Sequence, residues 1–340
     1  MPKYLVTGGC GFIGSHLVDA LFAYGHTVRI LDDLSTGTVD YKPKDVELMV
    51  GDVSDPDTTR AAMKGVDGCF HLAAIPSVER SITDWIGTHR TNLTGTIAVF
   101  DAARRAGALP VVFASSAAVY GDHGDVMLDE GADPRPLSSY GADKLGGELH
   151  AAVASHVHKI PNTALRFFNV YGPRQNPKSP YSGVISIFCD RMKQGREIAI
   201  FGDGQQTRDF IFVGDVVAAL LAAMERCSSP AGVFNVCTGH PTSVRGLADH
   251  IGGILGSRPA VRFSPARQGE IRHSVGNPAR AQRGLGFTAA TGLVAGLMPT
   301  LQALSANPVA VQPTRQTRPL TGEVVPFAQH RITLEASNGG

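Results

Sequence analysis

The sequence predicts an α/β fold: a doubly wound parallel sheet carrying a smaller, discontinuous α+β cap. Two features point to it. Short, nearly all-apolar runs alternate with helical stretches through the first half of the chain, and the first run enters a glycine-rich turn. Strands that are apolar along their whole length belong in a parallel sheet covered on both faces. In order, the expected strands are Tyr4–Thr7, Thr27–Asp32, Val46–Gly51, Gly68–Ala73, Val111–Ser115 and Thr163–Phe168. Between them, Ile13–Tyr24, Pro56–Lys64, Thr88–Ala106 and Tyr140–His156 read as helices. After Tyr171 the pattern gives way to a proline-rich loop, then a helix over Val184–Gln194 and a strand over Glu197–Phe201. Ile211–Val213 and Val233–Val236 read as strands returning to the main sheet.

The expected division is therefore a dinucleotide-binding (Rossmann) unit over 1–170, with strands returning from 211–237, and a substrate-binding cap over 171–210 and 238–305. The segment 306–340 is dense in proline, ends in Ser-Asn-Gly-Gly, and receives no chemistry.

Composition narrows the function. Thirty-one basic residues face 30 acidic ones for a formal net charge of +1, so no basic field suits nucleic acid or an anionic membrane. No apolar run reaches membrane-spanning length, and Met1-Pro2-Lys3 leads straight into a strand without a signal-peptide layout. The five scattered cysteines form no C-x-x-C pair and read as buried free thiols in a reducing cytoplasm. No histidine spacing suggests a metal; His156 and His158 read as solvated.

Gly8, Gly11 and Gly14 are spaced G-x-x-G-x-x-G between a strand and a helix. Such a turn brings a pyrophosphate onto bare backbone and onto the helix start at Phe12 and Ile13. Asp32 closes the second strand, where a carboxylate accepts hydrogen bonds from a ribose diol and repels a 2′-phosphate, so NAD is expected over NADP. Asp33 is the weaker candidate, a turn residue in the alternative. Asp52 and Val53 end the third strand, either flanking adenine or capping the next helix. Leu72, Ala73 and Ala74 would run along the pyrophosphate and nicotinamide ribose, with His71 a core histidine.

Tyr140 and Lys144 stand four apart on a predicted helix and so share a face. There the ammonium is expected to lower the phenol's pKa and make it a base near neutrality.

These residues, with Ser115 through Gly121, Arg166 through Pro173, Phe201-Gly202-Asp203-Gly204 and Thr207-Arg208-Asp209-Phe210, resemble the extended short-chain dehydrogenase/reductase superfamily. Within it the chain is similar to nucleotide-sugar 4-epimerases acting on UDP-glucose and UDP-N-acetylglucosamine, over Lys3 to about Leu304. The resemblance implies that Ser116 polarises the sugar hydroxyl, that Tyr140 takes its proton, and that Lys144 holds the nicotinamide ribose. It also implies a cofactor-side place for Ser115 and a structural and cofactor-side one for Asn92. Asn169, Arg208 and Arg267 would neutralise the UDP-sugar diphosphate, and Phe201 would face uracil. Glu270 stands where the family has an Asp near the nucleotide ribose, and Ser274 where a residue lines the sugar pocket. The family also implies a homodimer, through helices near Thr88–Ala106 and Tyr140–His156.

Two departures narrow the reaction. Sugar-nucleotide dehydratases of this superfamily carry an Asp-Glu pair directly after the serine, and its decarboxylases a Glu at the second position. Here Ala117 and Ala118 stand there, and methyl groups transfer no protons. The rivals are a 4-ketoreductase, a UDP-uronate 4-epimerase or, disfavoured by these alanines, a dehydratase on the same scaffold, or an NAD-binding regulator without activity.

Overall fold

The computed structural model describes residues 1–177, 183–266 and 271–304. Its main sheet contains β1 (Lys3–Thr7), β2 (Thr27–Asp32), β3 (Glu47–Val50), β4 (Gly68–His71), β5 (Val111–Ser116) and β6 (Asn162–Phe167). All pair in parallel in the order 3-2-1-4-5-6, and β6 is flanked by a later parallel strand, Gly232–Val236. The order reverses between β1 and β4, so a crevice opens at the carboxyl ends of these two strands.

Helices α1 (Phe12–Ala23), α2 (Pro56–Met63), α3 (Val78–Thr83), α4 (Trp85–His89), α5 (Gly95–Arg105) and α6 (Ser139–His158) follow in chain order. The single helix expected over Thr88–Ala106 is interrupted. Arg90–Thr94 forms a π-helical turn between α4 and α5, a local geometry that leaves no mark in apolar periodicity.

The remaining strands, β7 (Asn169–Tyr171), β8 (Ile198–Phe201), β9 (Thr207–Phe212), β10 (Gly232–Val236), β11 (Pro241–Ser243), β12 (Val261–Ser264) and β13 (His273–Ser274), divide unequally. Only β10 joins the main sheet, as expected for Val233–Val236. Ile211–Val213 does not. Ile211 and Phe212 end β9, which pairs with β7, β11 and β13 in a second sheet, and Val213 opens a helix. β9 lies between two cores: Ile211 packs with the main-sheet core, and Phe210 and Phe212 pack with the cap core around Phe188, Leu247 and Leu297. Such a strand is apolar on both faces whichever sheet it joins, so its composition carries no sheet address. β8 and β12 pair with each other. The other helices are α7 (Val184–Lys193), α8 (Val213–Glu225), α9 (Val244–Leu255), α10 (Ala279–Leu285) and α11 (Leu293–Ala303).

Among the described helices none is long and apolar enough to cross a membrane, and no cluster of possible metal ligands appears among the described residues. Cys10, Cys69, Cys189 and Cys237 are buried free thiols, and Cys227 is half-buried.

A buried ion pair ties α6 to the sheet. Arg166 of β6 donates to Glu148 of α6 through Nε (2.9 Å to Oε1) and Nη2 (2.6 Å to Oε2), and Ser115 of β5 donates its hydroxyl to Oε1. Deleting one partner strands a buried charge, which costs about 3–5 kcal/mol. Glu148→Ala should lower the unfolding free energy by that amount in urea titrations, and the paired change Glu148→Leu with Arg166→Met should recover most of it. A loss under about 1 kcal/mol for the single change would mean that the pair behaves like a surface bridge.

Candidate active site

At the switch point the chain leaves β1 through Gly8, which adopts φ +70° and lies against the Leu72–Ala73 backbone. A Cβ on Gly14 would meet the Gly8 carbonyl oxygen at 2.1 Å, so α1 sits on the turn at a separation that only glycine permits. The amino end of α1 has no side-chain cap and no acidic residue in its first turn, leaving its N–H groups to a ligand. Asp32 is buried at the end of β2. Its Oδ2 accepts from the Cys10 N–H at 2.9 Å and its Oδ1 from the Leu34 N–H at 2.9 Å. Burial raises its pKa, against the pull of these two bonds. Asp33 accepts from the Ser35 N–H and hydroxyl and is exposed, the turn role that was the alternative for it. Asp52 accepts from the Ser54 N–H at 2.8 Å.

Next to the glycine turn, His71 is fixed in one tautomer. Thr96 donates its hydroxyl to the Asn92 carbonyl, so His71 Nε2 donates to Thr96 (3.0 Å) and His71 Nδ1 accepts from Thr7 (2.8 Å). Burial, assisted by the Lys144 charge, pulls its pKa down to about 3, so it is a neutral core residue.

The reactive groups meet on the other side of the crevice. Ser116 ends β5 and accepts from the Ala118 N–H at 3.1 Å as the chain enters the short turn Ala117–Val119. Helix α6 starts from a Ser138 cap and presses its first turn onto that segment; a Cβ on Gly141 would come within 2.5 Å of the Ala118 carbonyl. This approach brings the Tyr140 phenol to the Ser116 side chain, which works against the effect of burial on the phenol's pKa. Lys144 lies one turn on, its ammonium 5.9 Å from the Tyr140 ring centre and donating to the Ala114 carbonyl at 2.9 Å. One cleft of about 770 Å³ is lined by Gly8, Gly11, Phe12, Ile13, Gly14, Asp32, Asp33, Asp52, Val53, Leu72, Ala73, Ala74, Ser115, Ser116, Tyr140, Lys144 and Asn169.

Comparison with known proteins decides what this cleft belongs to. Residues 4–237 match the model of the NAD dependent epimerase/dehydratase family. A UDP-glucose 4-epimerase of Mycolicibacterium smegmatis is 38% identical over 310 residues, covering 88% of this chain and 97% of the relative. The chain belongs to the NAD-dependent epimerase/dehydratase family. The crystal structure of UDP-glucose 4-epimerase from Thermotoga maritima with UDP-glucose aligns with TM-score 0.86 at 34% identity, over 89% of this chain and 98% of that one. The UDP-N-acetylglucosamine 4-epimerase of Methanobrevibacter ruminantium, in complex with UDP-N-acetylmuramic acid, aligns with TM-score 0.85 at 32% identity, over 89% and 98%.

The cradle of this NAD-dependent enzyme fits a dinucleotide: an uncapped helix start over a turn closed by Gly8 and Gly14, and a carboxylate at the end of β2. Two expectations for it change, those for the Ser115 hydroxyl and the Tyr140 phenol, and Asn92 takes a structural place. The Ser115 hydroxyl turns away from the cofactor side to Glu148, because neighbouring residues on β5 face opposite ways. Asn92 is buried in the π-helical turn and both ends of its amide are used on the Ile75 backbone (2.8 and 3.2 Å), so it holds the loop after β4 from behind. The Tyr140 pKa is raised by burial, opposed by the Ser116 side chain, rather than lowered by Lys144.

On the cap side, Phe201 ends β8, and Ser274 in β13 is in register with Arg208 in β9. Arg208 Nη1 donates to the Thr207 carbonyl at 2.8 Å. Arg267 and Glu270 lie outside the described residues, as does the tail. The residues that sequence reasoning missed are Glu148 and Arg166. Glu148 follows Lys144 at the same four-residue step as Lys144 follows Tyr140, which is the one signal that would have found it.

Burial pulls the Lys144 ammonium down from 10.5 to about 8, against the Asp143 charge, which raises it. Between those values the unfolded chain binds more protons at this site, so its contribution makes stability rise with pH across that window. In cofactor-free protein, Lys144→Met should flatten the rise in unfolding free energy between about pH 8 and pH 10.5. Identical slopes in urea titrations of both proteins would show that another group titrates there.

Proposed function

We propose that this enzyme is a UDP-sugar 4-epimerase that interconverts UDP-glucose with UDP-galactose and UDP-GlcNAc with UDP-GalNAc. The observation that carries the reading is the meeting of Ser116, Tyr140 and Lys144 beside the glycine turn, with methyl side chains at Ala117 and Ala118. When bound, NAD would supply reversible hydride exchange at sugar C4. The chain's own residues do the rest. Phe12 and Ile13 offer N–H groups to the pyrophosphate, Asp32 takes the adenine ribose, and Asp52 and Val53 flank the base. Leu72, Ala73 and Ala74 pack along the nicotinamide half.

Tyr140 removes the C4 hydroxyl proton and gives it back, and Ser116 holds that hydroxyl in line. Lys144 presents its remaining N–H groups to the nicotinamide ribose. A phenol raised by burial becomes a base near neutrality only when positive charge gathers beside it, and Lys144 with an oxidised nicotinamide provides that charge. Asn169, Arg208 and Arg267 hold the diphosphate, arginine suiting the role through its planar fork. Phe201 stacks on uracil and Glu270 takes its ribose. No carboxylate follows Ser116, so loss of water across C5–C6 has no acid or base to carry it.

The enzyme works as a homodimer. Supporting this, Leu149, Val153 and Val157 form an exposed apolar stripe at four-residue spacing along α6, and Ile97 is exposed on α5, a helix in contact with α6.

Tyr140→Phe should leave NAD content unchanged and reduce turnover by about two to four orders of magnitude. Wild-type turnover by this variant, assayed on UDP-galactose without added cofactor, would sink the assignment.

A small residue at Ser274 leaves room for a 2-acetamido group. Ser274→Tyr should therefore abolish activity on UDP-GlcNAc and spare that on UDP-glucose, read as kcat/KM on each. Equal losses on both substrates would show that Ser274 is not the gate.

A further inference from the structure

The turn Gly172-Pro173-Arg174-Gln175 takes no part in the chemistry above, yet it contains the most constrained cation in the cleft wall. The Arg174 side chain is 5% exposed. Its backbone sits at φ +68°, a left-handed conformation that a non-glycine residue adopts at a cost. Nη2 donates to Asp19 of α1 at 2.7 Å, and the guanidinium carbon lies 4.7 Å from the centre of the Tyr41 ring. Nε and Nη1 have no partner among the described residues. A buried cation kept in a strained backbone with unmet donors calls for a functional explanation.

Tyr41 explains what the cation holds. It ends the short turn Val39–Tyr41, the far end of a strap that starts where β2 delivers Asp32 and Asp33. The strap crosses the glycine turn, where the Thr38 N–H donates to the Cys10 carbonyl at 3.0 Å. Asp33, Ser35 and Thr36 line the main cleft, and Thr36, Thr38 and Tyr41 line an adjoining hollow of about 460 Å³. The other end of the tie is firm. His16 of α1 is one turn from Asp19 and bonds through Nε2 to the Pro173 carbonyl at 2.9 Å. Burial pulls the His16 pKa down to about 4, so a neutral imidazole makes this bond. Asp19 takes the nearest charge of Arg174, so the guanidinium acts as a tie between segments rather than as the counter-ion of a phosphate.

We infer that Arg174 is a positioning residue for the cofactor: clasped between Asp19 and Tyr41, it fastens the 33–41 strap over the glycine turn and slows release of NAD. The inference rests on the epimerase reading, in which NAD is regenerated at every turnover and its departure would only idle the enzyme.

The test measures nucleotide release instead of epimerisation. Protein loaded with NADH is mixed with excess NAD, and the loss of bound NADH fluorescence gives the dissociation rate. Arg174→Ala and Tyr41→Ala should release NADH about tenfold faster or more, whereas Tyr41→Phe, which keeps the ring face, should match the wild type. Thermal melts in saturating NAD identify a variant that has failed to fold. If Arg174→Ala is lost that way, Tyr41→Ala and Tyr41→Phe decide alone. Wild-type release rates in the folded alanine variants would overturn the clasp and leave the epimerase reading standing. A wild-type protein that binds no NADH would overturn both.

Discussion

Where helix α6 sits on the sheet, and how it is rotated, governs the rest of the site. Its first turn is pressed onto Ala118 at Gly141, and two turns further on Glu148 is held by Arg166 and Ser115. These anchors fix the orientation of Tyr140, next to the first, and of Lys144, between the two. Tyr140 meets Ser116 and Lys144 reaches the Ala114 carbonyl. A helix pinned at one end alone could turn about its axis and separate the phenol from the serine by more than a hydrogen-bond length. A fully satisfied buried ion pair is a stiff second anchor, since any sliding would leave charge unpaired in a medium of low polarity.

The same burial that fixes the groups also sets their charge states. In the chain by itself Tyr140 is pushed up and Lys144 down, each towards its neutral form. A site in this state is poorly prepared to remove a proton. In the proposed mechanism, positive charge from an oxidised nicotinamide would reverse the balance and so couple base strength to cofactor occupancy. His71 and Asp32 show the complementary use of burial. One is held neutral as a structural link to Thr7 and Thr96, and the other spends its oxygens on the Cys10 and Leu34 amides while facing the cleft.

The reaction is also defined by what Ser116 lacks beside it. The turn Ala117–Val119 lies against the first turn of α6, and its first two residues bear methyl groups. Methyl groups there suit a reaction confined to oxidation and reduction at one carbon, the chemistry proposed above.

The sequence alone determined the alternation of strands and helices along the first half of the chain, the glycine turn, and the shared face of Tyr140 and Lys144, because these follow from local periodicity and spacing. Backbone geometry at Gly8 and Gly14 is written in residue type, since no other side chain fits there. Tertiary structure decided the remainder. Ile211 and Phe212 are apolar in either sheet, and only the packing of two cores against β9 assigned them to the second. Ser115 and Asn92 sit in motifs that suggest the cofactor, yet the strand's alternation and a π-helical turn direct them to Glu148 and Ile75. The Glu148–Arg166 pair and the Asp19–Arg174–Tyr41 clasp join residues far apart in the chain. Charge and ring character can be read at each position, but partnership is a property of distance, which only folding supplies.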